Sequence, residues 1–90
     1  MDNNDEYHCR VCGLFQDEDS PTWGPNDTCP SFEICVCCGA EFGFDDCSVR
    51  DVKAMREEWI DKGTPWDEPK CKPENWFLEE QLKNIPEGFR

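Results

Sequence analysis

Apolar side chains recur at helical spacing most clearly after Ser48, where Val52, Met55, Trp59 and Ile60 fall along one side of a helix running to Lys62. Ser48 followed three residues later by Asp51 fits an N-cap with an acidic residue in the first turn. Gly63 is a natural stop and Pro65 blocks continuation. The outer face, with Arg50, Lys53, Arg56, Glu57, Glu58 and Asp61, reads as an ordinary solvent face of mixed charge. A second, shorter helix is expected from about Glu74 to Asn84, with Pro73 suited to its first turn and Phe77, Leu82 and Ile85 roughly on one face. Earlier in the chain the period changes. Ser31 to Val36 and Ala40 to Phe44 place Phe32, Ile34, Phe42 and Phe44 in alternation with smaller or polar residues. A short hairpin is expected there, its tip formed by Cys37-Cys38-Gly39. The stretch from Gln16 to Thr28 is polar and carries Pro21, Gly24, Pro25 and Asn26, so it reads as a loop. Thr64 to Pro73 reads as a Pro-rich connection.

The cysteines change the picture most. Cys9-Arg-Val-Cys12-Gly13 and Cys35-Val-Cys-Cys38-Gly39 are two turns of one kind, with 22 residues between Cys12 and Cys35. Two residues between cysteines let one turn aim both sulfurs at a single point. A glycine after the second cysteine permits positive φ, so the backbone curls beneath the metal and turns N–H groups towards sulfur. Two such turns supply four thiolates, the donor set of tetrahedral zinc at about 2.3 Å per bond. Cys9, Cys12, Cys35 and Cys38 are therefore the candidate ligands of one structural zinc ion, with iron the less favoured rival. Register makes Cys37 a small core residue, because only Cys35 and Cys38 complete the pattern. Cys29 lies near enough in sequence to exchange with a ligand, and Cys47 and Cys71 are expected to be buried as small apolar groups. His8, next to Cys9, reads as a surface residue, or else as a substitute ligand or a donor to one.

Length and charge limit what else the chain can be. Ninety residues bury too little surface for a core alone to give more than marginal stability, and a bound metal is one remedy. The first residues show no basic start and no apolar run, and nowhere does an apolar run approach the roughly 20 residues needed to span a bilayer. A cytoplasmic location, with thiols kept reduced, is expected, and no membrane. Net charge is −12, and residues 1–47 hold eleven acidic and one basic side chain, so the front half carries −10 of it. Such a surface repels phosphate backbones, which argues against direct nucleic-acid binding, and it attracts a basic protein. Asp17-Glu-Asp19 and Asp45-Asp46 are the acidic clusters that would meet such a partner, if they are more than solvated loops. Trp23, Trp59, Trp66 and Trp76 are expected to pack the C-terminal part onto the cysteine-rich part, with Trp23 or Trp66 as docking points if exposed.

The paired turns resemble the zinc-ribbon and rubredoxin knuckles. The run Cys29-Pro-Ser-Phe-Glu-Ile-Cys-Val-Cys-Cys-Gly-Ala-Glu-Phe-Gly-Phe-Asp-Asp46 is similar to the cysteine-rich CPCC domain family of small bacterial proteins. The likeness continues into the Trp59 helix, Gly63-Thr-Pro-Trp66 and Pro73-Glu-Asn-Trp76, with Val36 where the family's name motif has proline. It implies a fold and a metal site and carries no activity. The fold class expected is a small metal-stapled α+β unit: a zinc ribbon with one or more β-hairpins over residues 1–47, then one clear and one short helix over 48–90, packed as one domain. With no catalytic constellation, the expected role is a non-enzymatic, zinc-binding protein-interaction module, an acidic inhibitor of the immunity or antitoxin type that caps a basic partner. The alternatives are a redox or iron-binding protein of rubredoxin type and an adaptor subunit of a larger complex.

Overall fold

The structure is a computed structural model, and it describes residues 7–16, 22–23 and 30–90. Helix α1, Val49–Asp61, begins where expected: the Ser48 side chain accepts from the Asp51 N–H at 3.1 Å. It ends in a Schellman motif, with Thr64 N–H on the Trp59 carbonyl at 2.9 Å and Gly63 N–H on that of Ile60 at 3.0 Å. Gly63 sits at φ 95°, which glycine adopts without strain, and Pro65 then turns the chain away. Val52 and Trp59 are buried and Met55 partly so, whereas Ile60 is exposed.

Helix α2, Leu78–Leu82, is shorter than the expected span from Glu74 to Asn84. Phe77 has extended backbone (φ −125°, ψ 118°), so the helix cannot start before it, and Phe77 itself points into solvent. Five residues are too few to hold a helix by backbone hydrogen bonds alone. What holds α2 is Gln81, whose contacts are described below. Single 3₁₀ turns at Pro69–Cys71 and Glu87–Phe89 complete the regular structure of this half. No helix among the described residues is long and apolar enough to cross a membrane.

The expected zinc ribbon with β-hairpins is not what forms. Among the described residues there is no β-strand and no sheet; the antiparallel contacts are the lone bridges His8–Phe15 and Ile34–Glu41. The cause is local. Phe32 sits at φ 62° and Gly43 at φ 96°, so both arms of the expected hairpin leave the extended region within a few residues of its tip. The alternation fails with it: Phe42 is buried, but Phe32, Ile34 and Phe44 are 61%, 55% and 72% exposed.

In place of strands, the two cysteine turns are structural copies offset by 26 residues. In each, the first cysteine's carbonyl accepts from the glycine four residues on, Gly13 to Cys9 and Gly39 to Cys35, both at 2.9 Å. The first cysteine's own N–H reaches the next carbonyl, Cys9 to Leu14 at 3.0 Å and Cys35 to Ala40 at 2.9 Å. A third bond closes the arms, Gln16 N–H to Tyr7 and Phe42 N–H to Glu33. Gly13 and Gly39 have nearly equal positive φ, 85° and 82°.

Candidate metal centre

These matched turns converge. The sulfurs of Cys9, Cys12, Cys35 and Cys38 all lie within 4.8 Å of one another, and all four residues are buried or nearly so. Across the two turns, Cys9 and Cys38 sulfurs are 3.6 Å apart and those of Cys12 and Cys35 3.7 Å. A sulfur tetrahedron around a metal with bonds of about 2.3 Å has edges of about 3.8 Å, and a disulfide is about 2.05 Å long. The pairs have the first spacing and not the second. The four cysteines can therefore hold a metal ion, and its identity is left open by the geometry.

Electrostatics make the same point. Burial pushes the Cys12 thiol well above its ordinary range. Contacts from Cys12, Cys38 and Cys9 hold Cys35 far below it, with the Cys38 backbone N–H adding to the effect against the opposition of burial. For Cys38, the Cys12 contact favours the thiolate, and contacts with Cys35 and Cys9 together with burial outweigh it, so the thiol is raised. Burial and mutual contact thus oppose ionisation of Cys12 and Cys38, and a cation among the sulfurs would favour the thiolate forms, the proton-for-metal exchange expected of such a site.

The structure positions this cluster from three sides. Arg56 of α1 donates from Nε to the Val11 carbonyl at 2.7 Å and from Nη2 to the carbonyls of Arg10 and Phe89. This corrects the reading of Arg56 as a solvent-face residue: it holds the first turn against α1 and the C-terminal 3₁₀ turn. Burial lowers its pKa, and the nearby cysteines oppose that shift. Gln81 of α2 is the second support. Its amide donates to the Cys12 carbonyl at 3.2 Å and to Cys37 Sγ at 3.3 Å, and its oxygen accepts from Trp76 Nε1 at 2.7 Å. Gly13 packs so closely on α2 that a Cβ there would lie 2.3 Å from the Gln81 carbonyl oxygen. The third support is the segment after α1. Trp59 Nε1 donates to the Pro65 carbonyl at 2.8 Å, and the N–H groups of Asp67 and Glu68 reach the carbonyls of Cys37 and Val36. Trp66 and Trp76 meet edge to face with centroids 5.5 Å apart.

A fourth group ties the first turn to the end of the second. The Arg10 guanidinium lies 4.1 Å from the Trp23 ring centroid and 4.3 Å from that of Phe89, and it donates to the Asp46 carbonyl at 3.0 Å. Asp46 is wholly buried; its two carboxylate oxygens accept from the Gly43 N–H at 2.7 Å and from Trp23 Nε1 at 3.0 Å. Asp46 is thus a structural acceptor and is withdrawn from any partner. Asp45 is partly buried and accepts from the Glu41 N–H at 3.0 Å.

Other expected features sort as follows. Cys37 is buried beside the cluster and outside the four-sulfur group, and its thiol is held below the usual range chiefly by Cys12, with burial opposing. Cys47 and Cys71 are exposed, not buried; Cys47 Sγ donates to the Gly43 carbonyl at 3.1 Å on the surface. His8 stands outside the sulfur group, its ring edge-on to Phe15 at 5.5 Å. The glycines of the two turns give their own N–H groups to carbonyls, and in the second turn it is the Cys38 N–H that is directed to the Cys35 sulfur. Trp66 is buried and Trp23 half-buried under Arg10, so neither is an exposed docking ring. Cys29 and Asp17, Glu18 and Asp19 lie outside the described residues. Sequence reasoning passed over Arg10 and Gln81 and gave Asp46 and Arg56 other roles, as a partner-facing acid and a solvent-face residue; an arginine between two ligand cysteines is the one signal that pointed at any of these supports. No protein-family model, no curated protein and no solved structure matches this chain.

Proposed function

We propose that the chain is a zinc-binding protein-interaction module whose metal is structural. One observation carries the reading: four buried sulfurs, two from each of two matching turns, with cross-turn separations of 3.6 and 3.7 Å. Four thiolates suit zinc, and they fill a tetrahedral shell, leaving no position for substrate or reactive water. Cys9, Cys12, Cys35 and Cys38 hold the ion, which supplies folding energy to a chain with little regular structure. A reducing compartment such as the cytoplasm would keep these thiols available to the metal. The rigid scaffold then displays an acidic surface, net −12 over the chain, to a basic protein partner. An inhibitor that caps such a partner, of immunity or antitoxin type, fits this description.

Native mass spectrometry of the tagged chain, isolated gently from its own host, tests the proposal. One zinc per chain and a co-isolated basic protein are expected. Elemental analysis that finds zinc and no iron excludes the iron tetrathiolate, whose ferrous form is nearly colourless. Isolation with disulfides and no metal would overturn the site and the compartment together.

A further inference from the structure

The faces of α1 are unequally used. Val52, Arg56 and Trp59 turn towards the cysteine turns and the segments around them. The neighbouring stripe, Asp51, Ala54, Met55 and Glu58 at spacings of three and four, borders two adjoining hollows. The first, about 380 Å³, lies between this stripe and Phe44-Asp45 at the end of the second turn. The second, about 310 Å³, continues past Trp59 to Pro65, Trp66 and Asp67. Met55 and Glu58 line both, so the hollows form one trough.

We infer that this trough seats an extended segment of a protein partner that presents a lysine or arginine beside an apolar side chain. The inference rests on the protein-binding role proposed above and names where and what it binds. Charge decides the first half. Asp45, Asp51 and Glu58 line the first hollow with no cationic residue, and in the second Lys62 stands with Glu58 and Asp67, so acidic side chains outnumber basic ones along the trough. Glu58 meets Lys62 at 3.6 Å, but both side chains are about two-thirds exposed, and an ion pair of that kind is readily exchanged. Neither Asp45 nor Asp51 has an ion-pair partner among the described residues. Apolar surface decides the second half. Phe44 is 72% exposed at the mouth of the trough, and Met55 and Trp59 form its floor. Trp66, only 7% exposed, lines the second hollow, and its indole N–H has no acceptor among the described residues. Nucleic acid is disfavoured by the sign of the charge, and an acidic peptide for the same reason.

The test uses the full, zinc-loaded, isotope-labelled chain and three eight-residue peptides: alternating leucine and lysine, alternating serine and lysine, and alternating leucine and glutamate. The leucine–lysine peptide is expected to shift the amide signals of Phe44, Asp45 and α1 and the indole signals of Trp59 and Trp66, and to bind at least tenfold more tightly than the others. The double variant Asp51→Asn/Glu58→Gln, at exposed positions, is expected to weaken binding about fivefold and flatten its salt dependence. Phe44→Ser is expected to weaken it about tenfold with the salt dependence retained. Zinc content and helical circular dichroism should be unchanged in both. Shifts centred on Glu33 and Glu41, or equal affinity for the double variant, would overturn the trough. If that variant captures a basic partner with the same affinity as the wild-type chain, the trough falls and the binding role stands; if the wild-type chain binds neither peptide nor basic partner, the binding role falls too.

Discussion

Gly13 and Gly39 occupy the same place in the two cysteine turns, yet replacing them with alanine should have unequal effects. Both have positive φ, 85° and 82°, so each alanine meets the same left-handed strain, about 1–2 kcal/mol. Their surroundings differ. A Cβ on Gly39 would find its nearest neighbour, Asp67 Oδ1, at 3.5 Å, an ordinary contact. A Cβ on Gly13 would lie 2.3 Å from the Gln81 carbonyl oxygen and 3.2 Å from two atoms of Ile85. That obstacle is backbone, so α2 must move. Overpacking of this kind costs a further ~1–3 kcal/mol, and it also disturbs the Gln81 amide on Cys12 and Cys37. Gly39→Ala should therefore lose about 1–2 kcal/mol and Gly13→Ala about 2–5 kcal/mol. For a domain of this size a gap of about 2 kcal/mol separates their Tm values by roughly 8–16 °C. Thermal unfolding of the zinc-loaded variants, followed by circular dichroism, reads the gap. Equal losses, or a milder effect at Gly13, would refute the packing of α2 against the first turn.

Three further outcomes follow from the same contacts. Chelation with excess EDTA should unfold the chain, seen as loss of helical signal and dispersion of amide resonances, because zinc in such sites contributes roughly 10–16 kcal/mol of apparent binding energy at neutral pH; retained dispersion would show a core that stands without metal. Gln81→Ala should cost about 2 kcal/mol by leaving Trp76 Nε1 and the Cys12 carbonyl unpaired, and Gln81→Glu should weaken zinc binding more than the alanine does, since it places a carboxylate beside the thiolates; a competition titration with a chromophoric chelator ranks them. Arg10→Lys should lose about 1–3 kcal/mol in urea unfolding despite keeping the charge, because an ammonium cannot both stack between Trp23 and Phe89 and reach the Asp46 carbonyl as the planar guanidinium does.

The parts of the structure that were readable in sequence are those written in short local signals. Ser48, Gly63 and Pro65 delimit α1 because capping, left-handed backbone and a missing N–H act within a few residues. The two Cys-x-x-Cys-Gly turns announce the sulfur cluster for the same reason. The expected hairpin failed because Phe32 takes a left-handed φ that nothing in its side chain foretells, so the apolar alternation around it no longer describes a strand. Cys47 and Cys71 are exposed although cysteine usually prefers the interior, since a chain this small cannot bury every apolar group. Arg10, Asp46, Arg56 and Gln81 are charged or polar residue types that ordinarily lie at the surface. Their partners lie 33 to 69 residues away in several of the bonds that matter, and no local pattern records such pairings.

The most direct test of the account is X-ray absorption at the zinc edge on the chain purified with its own metal. Four sulfur neighbours at about 2.3 Å and no nitrogen or oxygen in the shell are expected from Cys9, Cys12, Cys35 and Cys38. A mixed shell of sulfur with nitrogen or oxygen, or a chain purified without metal and with its cysteines oxidised in pairs, would contradict it.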